Sequence, residues 1–148
     1  MLILILHGPN LATLGKREPE IYGSTTLTQL NNLLFRKADE LHVIAKIFQT
    51  NHEGKLIDLI EENQETSDAL IINPGAYTHT SIALMDAIKS FGKPSVEVHL
   101  TDITKREDFR KTSYVGSVVE KTFMGKNIVS YFNALEYLAK KKDQKKGK

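Results

Sequence analysis

The chain has 148 residues, 41% of them apolar and 26% charged, which is enough to build one hydrophobic core and unlike the composition of a disordered chain. It contains no cysteine, which excludes a disulfide scaffold, thiol catalysis and thiolate-held zinc, and fits a reducing compartment such as the cytoplasm. The net charge of +2 is a sum of unlike parts: residues 140–148 carry +5 and the other 139 carry −3, so the body of the chain has no basic footprint for nucleic acid.

Read in chain order, short apolar runs alternate with segments of helical period. The opening Met1–Asn10 lacks the basic first segment of a secretory leader and reads as a buried strand, Leu2–Leu6, running into a turn. A long polar connection, Leu11–Thr25, follows. Leu27, Leu30, Leu34, Ala38 and Leu41 then form one helical stripe with Thr26 as its cap. A second strand, Val43–Phe48, leads to a helix after Glu53 that presents Ile57 and Ile60. The third strand, Ala69–Ile72, precedes a helix carrying Ile82, Ala83, Ala87 and Ile88 that stops at Gly92, with Pro94 beyond. Ser95–Val98 is the fourth strand, and Ile128–Lys140 the last helix. No run approaches the roughly 20 apolar residues that cross a bilayer, so no membrane partner is expected. Strands and helices joined this tightly predict a parallel sheet covered on both faces, in one domain over 1–140. The Lys-rich segment 141–148 is expected to be a solvated, disordered tail.

In such sheets ligands bind beyond the carboxyl ends of the strands. The four loops there begin at His7, Gln49, Asn73 and His99, and all are rich in polar and ionisable residues. Familiar signatures fail. Between Gly8 and Gly15-Lys16 the spacing is too long for a phosphate loop and Arg17 follows the lysine; no Gly-x-Gly-x-x-Gly occurs. His52-Glu53 and Glu97-x-His99 are close pairs of metal-ligand type, and neither has metalloprotease spacing. A receiver-type signalling domain needs an acidic cluster after the first strand and an aspartate after the third, where this chain has His7-Gly8-Pro9 and Asn73-Pro74-Gly75.

Other residues ask for an explanation. Asn10, Arg17 and Tyr22 share or adjoin the long first loop, a length more typical of a binding loop than of slack. Asn10 also reads as a turn residue and Tyr22 as a packing group. Asn73-Pro74-Gly75 also reads as a plain turn and His79 as a helix cap. Glu97 interrupts an apolar strand and needs a partner. His99, two residues on, points to the same face and can be that partner. Arg106 and Arg110, four apart, fall on one face of an expected helical turn, as an anion clamp or as solvated surface charge.

Together these segments carry a resemblance. Gly8-Pro9-Asn10-Leu11, Leu14-Gly15-x-Arg17-Glu18-x-x-x-Tyr22-Gly23, Gln49-Thr50-Asn51-His52-Glu53-Gly54, Ile72-Asn73-Pro74-Gly75-Ala76-Tyr77-Thr78-His79-Thr80-Ser81 and Val96-Glu97-Val98-His99-Leu100-Thr101-Asp102 through Arg106-Glu107-Asp108-Phe109-Arg110 resemble, in order and spacing, the type II 3-dehydroquinate dehydratases. Two departures stand out: Val118–Asn127 lacks a glycine-rich stretch frequent in that family, and Ala12 replaces a frequent Asn.

The resemblance implies a flavodoxin-like, doubly wound sheet of five parallel strands in three layers. It implies dehydration of 3-dehydroquinate to 3-dehydroshikimate in the shikimate pathway, by anti elimination through an enolate and with neither metal nor organic cofactor. Tyr22 is then the base. A phenol titrating near ~10 in water needs cations to act near neutrality, and Arg17 and Arg106 are expected to supply them. His99 is the acid, oriented by Glu97, and Asn10 holds a water at the enolate oxygen. Asn73 and the backbone amides of Leu100 and Thr101 bind the carboxylate, and His79 and Arg110 the ring hydroxyls. Asp86 reaches a neighbouring subunit's site in a dodecamer built from trimers.

Overall fold

In the computed structural model, which describes residues 1–147, strand β1 (Leu2–His7) lies between β2 (Ile44–Gln49) and β3 (Ala69–Asn73), parallel to both. Strands β4 (Ser95–His99) and β5 (Lys121–Met124) extend the sheet beyond β3, giving the order β2-β1-β3-β4-β5. The central strands are continuous apolar runs because water reaches neither face: Ile3 to Leu6 and Ala69 to Ile72 have no exposed surface. This is the expected flavodoxin-like α/β fold. The connections leave β1 and β3 in opposite directions, so the strand order reverses between them and a crevice opens at their carboxyl ends.

The period of two along each strand divides the core into two layers. Ile3, Ile5, Ile71, Val96 and Val98 face α2 (Leu27–Glu40) and α5 (Val129–Lys146). Leu4, Leu6, Leu70 and Ile72 face α3 (Glu53–Glu62) and α4 (Ile82–Phe91). The remaining helix, α1 (Pro19–Tyr22), is a single turn inside the long loop after β1. Thr26 caps α2 as expected, and Gln29 returns the bond in a reciprocal capping box. Helix α4 ends at Gly92, whose left-handed backbone (φ 66°) favours a residue without a side chain.

Three expectations change. The fifth strand, unplaced by periodicity, lies within the atypical 118–127 stretch; four residues at a half-exposed edge are too few to show alternation. The segment expected to be a disordered tail is helical through Lys146, the last turns of α5. Lys141 pairs with Glu120 at 2.9 Å and Lys142 donates to the His42 carbonyl at 2.6 Å, which anchors a lysine-rich stretch of good helix formers. Lys148 lies outside the described residues. Finally, Arg106 and Arg110 do not share a helical turn: Arg106 is extended between two short 3-10 turns, Ile103–Lys105 and Asp108–Arg110.

The crevice depends on a close approach of two loops. The Gly8 amide donates to the Asn73 carbonyl at 2.7 Å, and a Cβ on Gly8 would sit 2.7 Å from both the carbon and the oxygen of the Pro74 carbonyl. Backbone on both sides cannot retreat as a side chain can. Gly8→Ala is therefore expected to destabilise the fold by about 1–3 kcal/mol, the usual cost of overpacking. Chemical denaturation checks this, and an unchanged midpoint would contradict the stated role of Gly8.

Candidate active site

The crevice at the ends of β1, β3 and β4 is lined by Asn10, Arg17, Tyr22, Asn73, His79, His99, Leu100, Thr101, Arg106 and Arg110, among others. Ten of the twelve residues singled out from sequence thus meet in one cavity. Glu97 lies behind His99, fully buried, and Asp86 lies elsewhere.

The acidic and imidazole groups come from β4. Glu97 Oε1 accepts from His99 Nε2 at 2.6 Å, which leaves Nδ1 as the ring nitrogen that Glu97 does not engage. The same carboxylate accepts from Ser113 Oγ at 3.0 Å and from Thr122 Oγ1 at 2.9 Å, and also from the Thr78 hydroxyl. Burial works to raise its pKa. The hydrogen bond and charge of His99, with the Thr78 and Thr122 hydroxyls, outweigh that and hold the carboxyl below its ordinary value. Glu97 therefore remains a charged, fully partnered backing for the imidazole. Gly116 completes the enclosure, since a Cβ there would come within 2.9 Å of Glu97 Oε2.

The phenol comes from the loop after β1. Tyr22 ends α1, and its oxygen accepts from Arg106 Nη1 at 2.9 Å; the guanidinium carbon also lies 5.8 Å from the ring centroid. A cation donating to a phenolic oxygen stabilises negative charge there. Arg17 lines the cavity but pairs with Glu18 at 3.8 Å on the exposed side, so the cation placed on the phenol is Arg106. Arg110 is held by Glu107, its Nε donating to Oε2 at 2.7 Å, and Glu107 also reaches Arg106 at 3.9 Å. One carboxylate thus spaces the two guanidiniums.

Asn10 and Asn73 stand at the ends of the central strands. Asn10 adopts a left-handed backbone (φ 69°), which asparagine tolerates better than most residues. Its amide donates to Asn51 Oδ1 at 3.1 Å. Gln49 Nε2 donates to the same oxygen and to the Gly8 carbonyl, and the Tyr77 hydroxyl to the Asn51 carbonyl. The loop after β2, expected to line the site, instead braces the loops that do. His79 is no helix cap; Ser81 caps α4. His79 Nδ1 donates to the Thr112 carbonyl at 2.7 Å, which turns Nε2 into an acceptor when the ring is neutral.

Thr78, Ser113, Thr122 and Gly116 were not legible from sequence, since only the position of Glu97 gives them a role. Asp86 lies on the outer side of the fold, in a groove between α3 and α4 with Ala83, Ile57 and Glu61. Among the described residues no group of three or more His, Asp or Glu could hold a metal ion.

The model of the class II dehydroquinase family matches residues 1–139. The 3-dehydroquinate dehydratase of Dictyoglomus turgidum is 50% identical over 134 residues, covering 90% of this chain and 92% of the relative. That of a Nostoc species is 52% identical over 138 residues, covering 92% of each. The crystal structure of type II dehydroquinase from Propionibacterium acnes superposes with a TM-score of 0.91 at 38% identity, covering 94% of this chain and 96% of that one. With the sheet order, the crevice and its phenol–guanidinium and carboxylate–imidazole pairs, these likenesses establish that the chain belongs to the class II dehydroquinase family.

Proposed function

We propose that this chain dehydrates 3-dehydroquinate to 3-dehydroshikimate in the shikimate pathway, with the crevice at the ends of β1, β3 and β4 as its active site. One observation carries the reading: a phenol held on a guanidinium and an imidazole backed by a buried carboxylate face one cavity. Binding alone needs no such pairing of a base with an acid. A site that only held an anion would be served by the arginines.

The reaction removes the proton beside a ketone and expels the hydroxyl beta to it. Tyr22, as phenolate, takes the C2 proton, and the Arg106 N–H at its oxygen stabilises the charge needed beforehand. Arg17, on the same loop, adds positive potential. The electron pair moves into the ketone, and the resulting enolate oxygen is stabilised by a water that Asn10 holds. When the carbon–oxygen bond breaks, His99 gives the Nδ1 proton to the departing hydroxyl, and water leaves. Glu97 keeps the ring oriented and balances its charge. Base and acid come from different loops, so they can approach opposite faces of the ring, as anti elimination requires. Asn73 and the amides of Leu100 and Thr101 hold the carboxylate; His79 Nε2 and Arg110 hold the ring hydroxyls.

Because Asp86 lies outside its own chain's cavity, any contact it makes with substrate must be with substrate held by a neighbouring subunit. Ile82, one turn earlier on α4, is 52% exposed and offers that contact an apolar neighbour. These support a homo-oligomer, a dodecamer of four trimers. A cytoplasmic site of action accords with the cysteine-free chain, and among the described residues no helix is long and apolar enough to cross a membrane.

Turnover of 3-dehydroquinate, followed by growth of enone absorbance, is expected to be unaffected by EDTA. Substrate plus borohydride is expected to leave activity intact, since no lysine imine takes part; inactivation by either reagent would overturn the mechanism. Tyr22→Phe is expected to lower kcat by at least the ~10²–10⁴-fold typical of a lost general base, with KM little changed. In D₂O, His99→Ala is expected to exchange the C2 proton without forming product, while Tyr22→Phe does neither. Exchange at the wild-type rate in Tyr22→Phe would falsify Tyr22 as the base. Asp86→Ala is expected to raise KM, and sedimentation is expected to show no active monomer; a fully active monomer would contradict the shared site.

A further inference from the structure

The two oxygens of the buried Glu97 carboxylate are unequally served. Three donors converge on Oε1: His99 Nε2 at 2.6 Å, the Thr78 hydroxyl, and Ser113 Oγ at 3.0 Å. Oε2 receives Thr122 Oγ1 at 2.9 Å and a longer share of the same Ser113 hydroxyl, at 3.3 Å. A hydroxyl has one proton to give, so Ser113 cannot fully serve both oxygens. Its oxygen also accepts from the Gly116 amide at 2.7 Å and lies 2.9 Å from Thr78 Oγ1, a further claim on the same group. Among the described residues, Thr122 is therefore the one undivided donor to Oε2.

Thr122 reaches Oε2 because of where β5 pairs. It stands opposite Glu97 in the parallel register of β4 with β5. The next pair, Val98 with Phe123, packs on the other face of the sheet, among the residues of α2 and α5. Alternation then sets Thr122 on the face of Glu97. A slip of one residue would replace its hydroxyl by Lys121 or Phe123. The torsion that turns a carboxylate about its last carbon–carbon bond is broad and roughly two-fold, so hydrogen bonds decide where the two oxygens point. Without the Thr122 hydroxyl, Oε2 has reason to turn toward the donors crowded at Oε1. Oε1 then leaves the line of the imidazole N–H, and the bond that keeps Nδ1 free for the crevice weakens.

We propose that Thr122 is a positioning residue that acts through Glu97 on His99, fixing the rotation of the carboxylate and with it the aim of the acid. This deepens the dehydratase reading and rests on it. The test uses the full assembled chain. Thr122→Val removes the hydroxyl and keeps the branched shape that a strand favours, whereas Thr122→Ser keeps the hydroxyl. With 3-dehydroquinate as substrate, Thr122→Val is expected to lower kcat by ~3–10-fold, the worth of about one hydrogen bond, with KM little changed. Thr122→Ser is expected to stay near wild type. In D₂O, exchange of the C2 proton needs the base and not the acid. It is expected to continue in Thr122→Val, so that the ratio of exchange to product rises by the same factor. A merely loosened strand would lower both together. An unchanged kcat, an unmoved ratio, or an equal loss in Thr122→Ser would overturn the proposal. If Thr122→Val does not fold, Thr122→Ala is read in the same way. A second readout needs no substrate: the proton on His99 Nε2, held against a carboxylate, resonates far downfield in NMR spectra of the free protein. Thr122→Val is expected to shift that resonance and Thr122→Ser to leave it in place; identical spectra in all three proteins would overturn the proposal. Wild-type protein that does not turn over 3-dehydroquinate would instead sink the dehydratase reading, and the resonance would then decide the positioning role by itself.

Discussion

A carboxylate without access to water sits in the middle of β4, and the region around it is arranged to keep its charge. A lone buried charge costs several kcal/mol even after relaxation, so Glu97 is tolerable only with a full set of donors. Those donors come from four places in the chain: Thr78 beyond β3, His99 on β4 itself, Ser113 in the following loop and Thr122 on the edge strand. Meeting the demands of one charge therefore brings these segments together. The imidazole of His99 is one of the charge's own partners, so its orientation follows from the same constraint that closes the fold on that side.

The sheet separates two kinds of polar support. On the face of α3 and α4 the network is ionic and centred on Glu97, and it orients the imidazole of His99. On the face of α2 and α5 the network is neutral, built from His7, Asn31 and Tyr131, and it ties the end of β1 to both helices. The division follows from alternation along the strands: Glu97 and His99 point one way, and His7 and Asn73 the other. Charge and dipole thus stay apart by the thickness of a sheet. The phenol belongs to neither network, since it rides on the loop after β1 and meets the body of the protein through Arg106.

Much of this was legible in the sequence because it depends on local pattern. The first four strands are short apolar runs between turn residues, Thr26 and Gly92 mark helix ends, and Glu97-x-His99 places two ionisable groups on one strand face by period alone. What was not legible depends on contacts between distant segments. Strand β5 exists because β4 offers it an edge, and its four residues carry no period of their own. The hydroxyls around Glu97 look like ordinary loop residues until the carboxylate is placed. Arg106 and Arg110 suggested one helical face, but Asp102 caps a short turn that ends before Arg106, and the two reach the crevice from an extended residue and from the turn after it. Lysines after residue 140 looked like a solvated tail because sequence charge does not reveal Glu120 or the His42 carbonyl as partners.

Helix α5 supplies the Tyr131 hydroxyl to a histidine on the first strand, across 124 positions of sequence. During synthesis, β1, β3 and β4 can all have left the ribosome before α5, the second of the two helices that cover this face of the sheet, has been made. The crevice then exists in outline, but in the floor beneath it His7 still lacks the Tyr131 ring and hydroxyl that close over it. Only when the segment around Tyr131 docks does water leave that floor. Closure of that floor is thus deferred to the last described helix, and a nascent chain halted before it would have the central strands without the packing that dries their lower face.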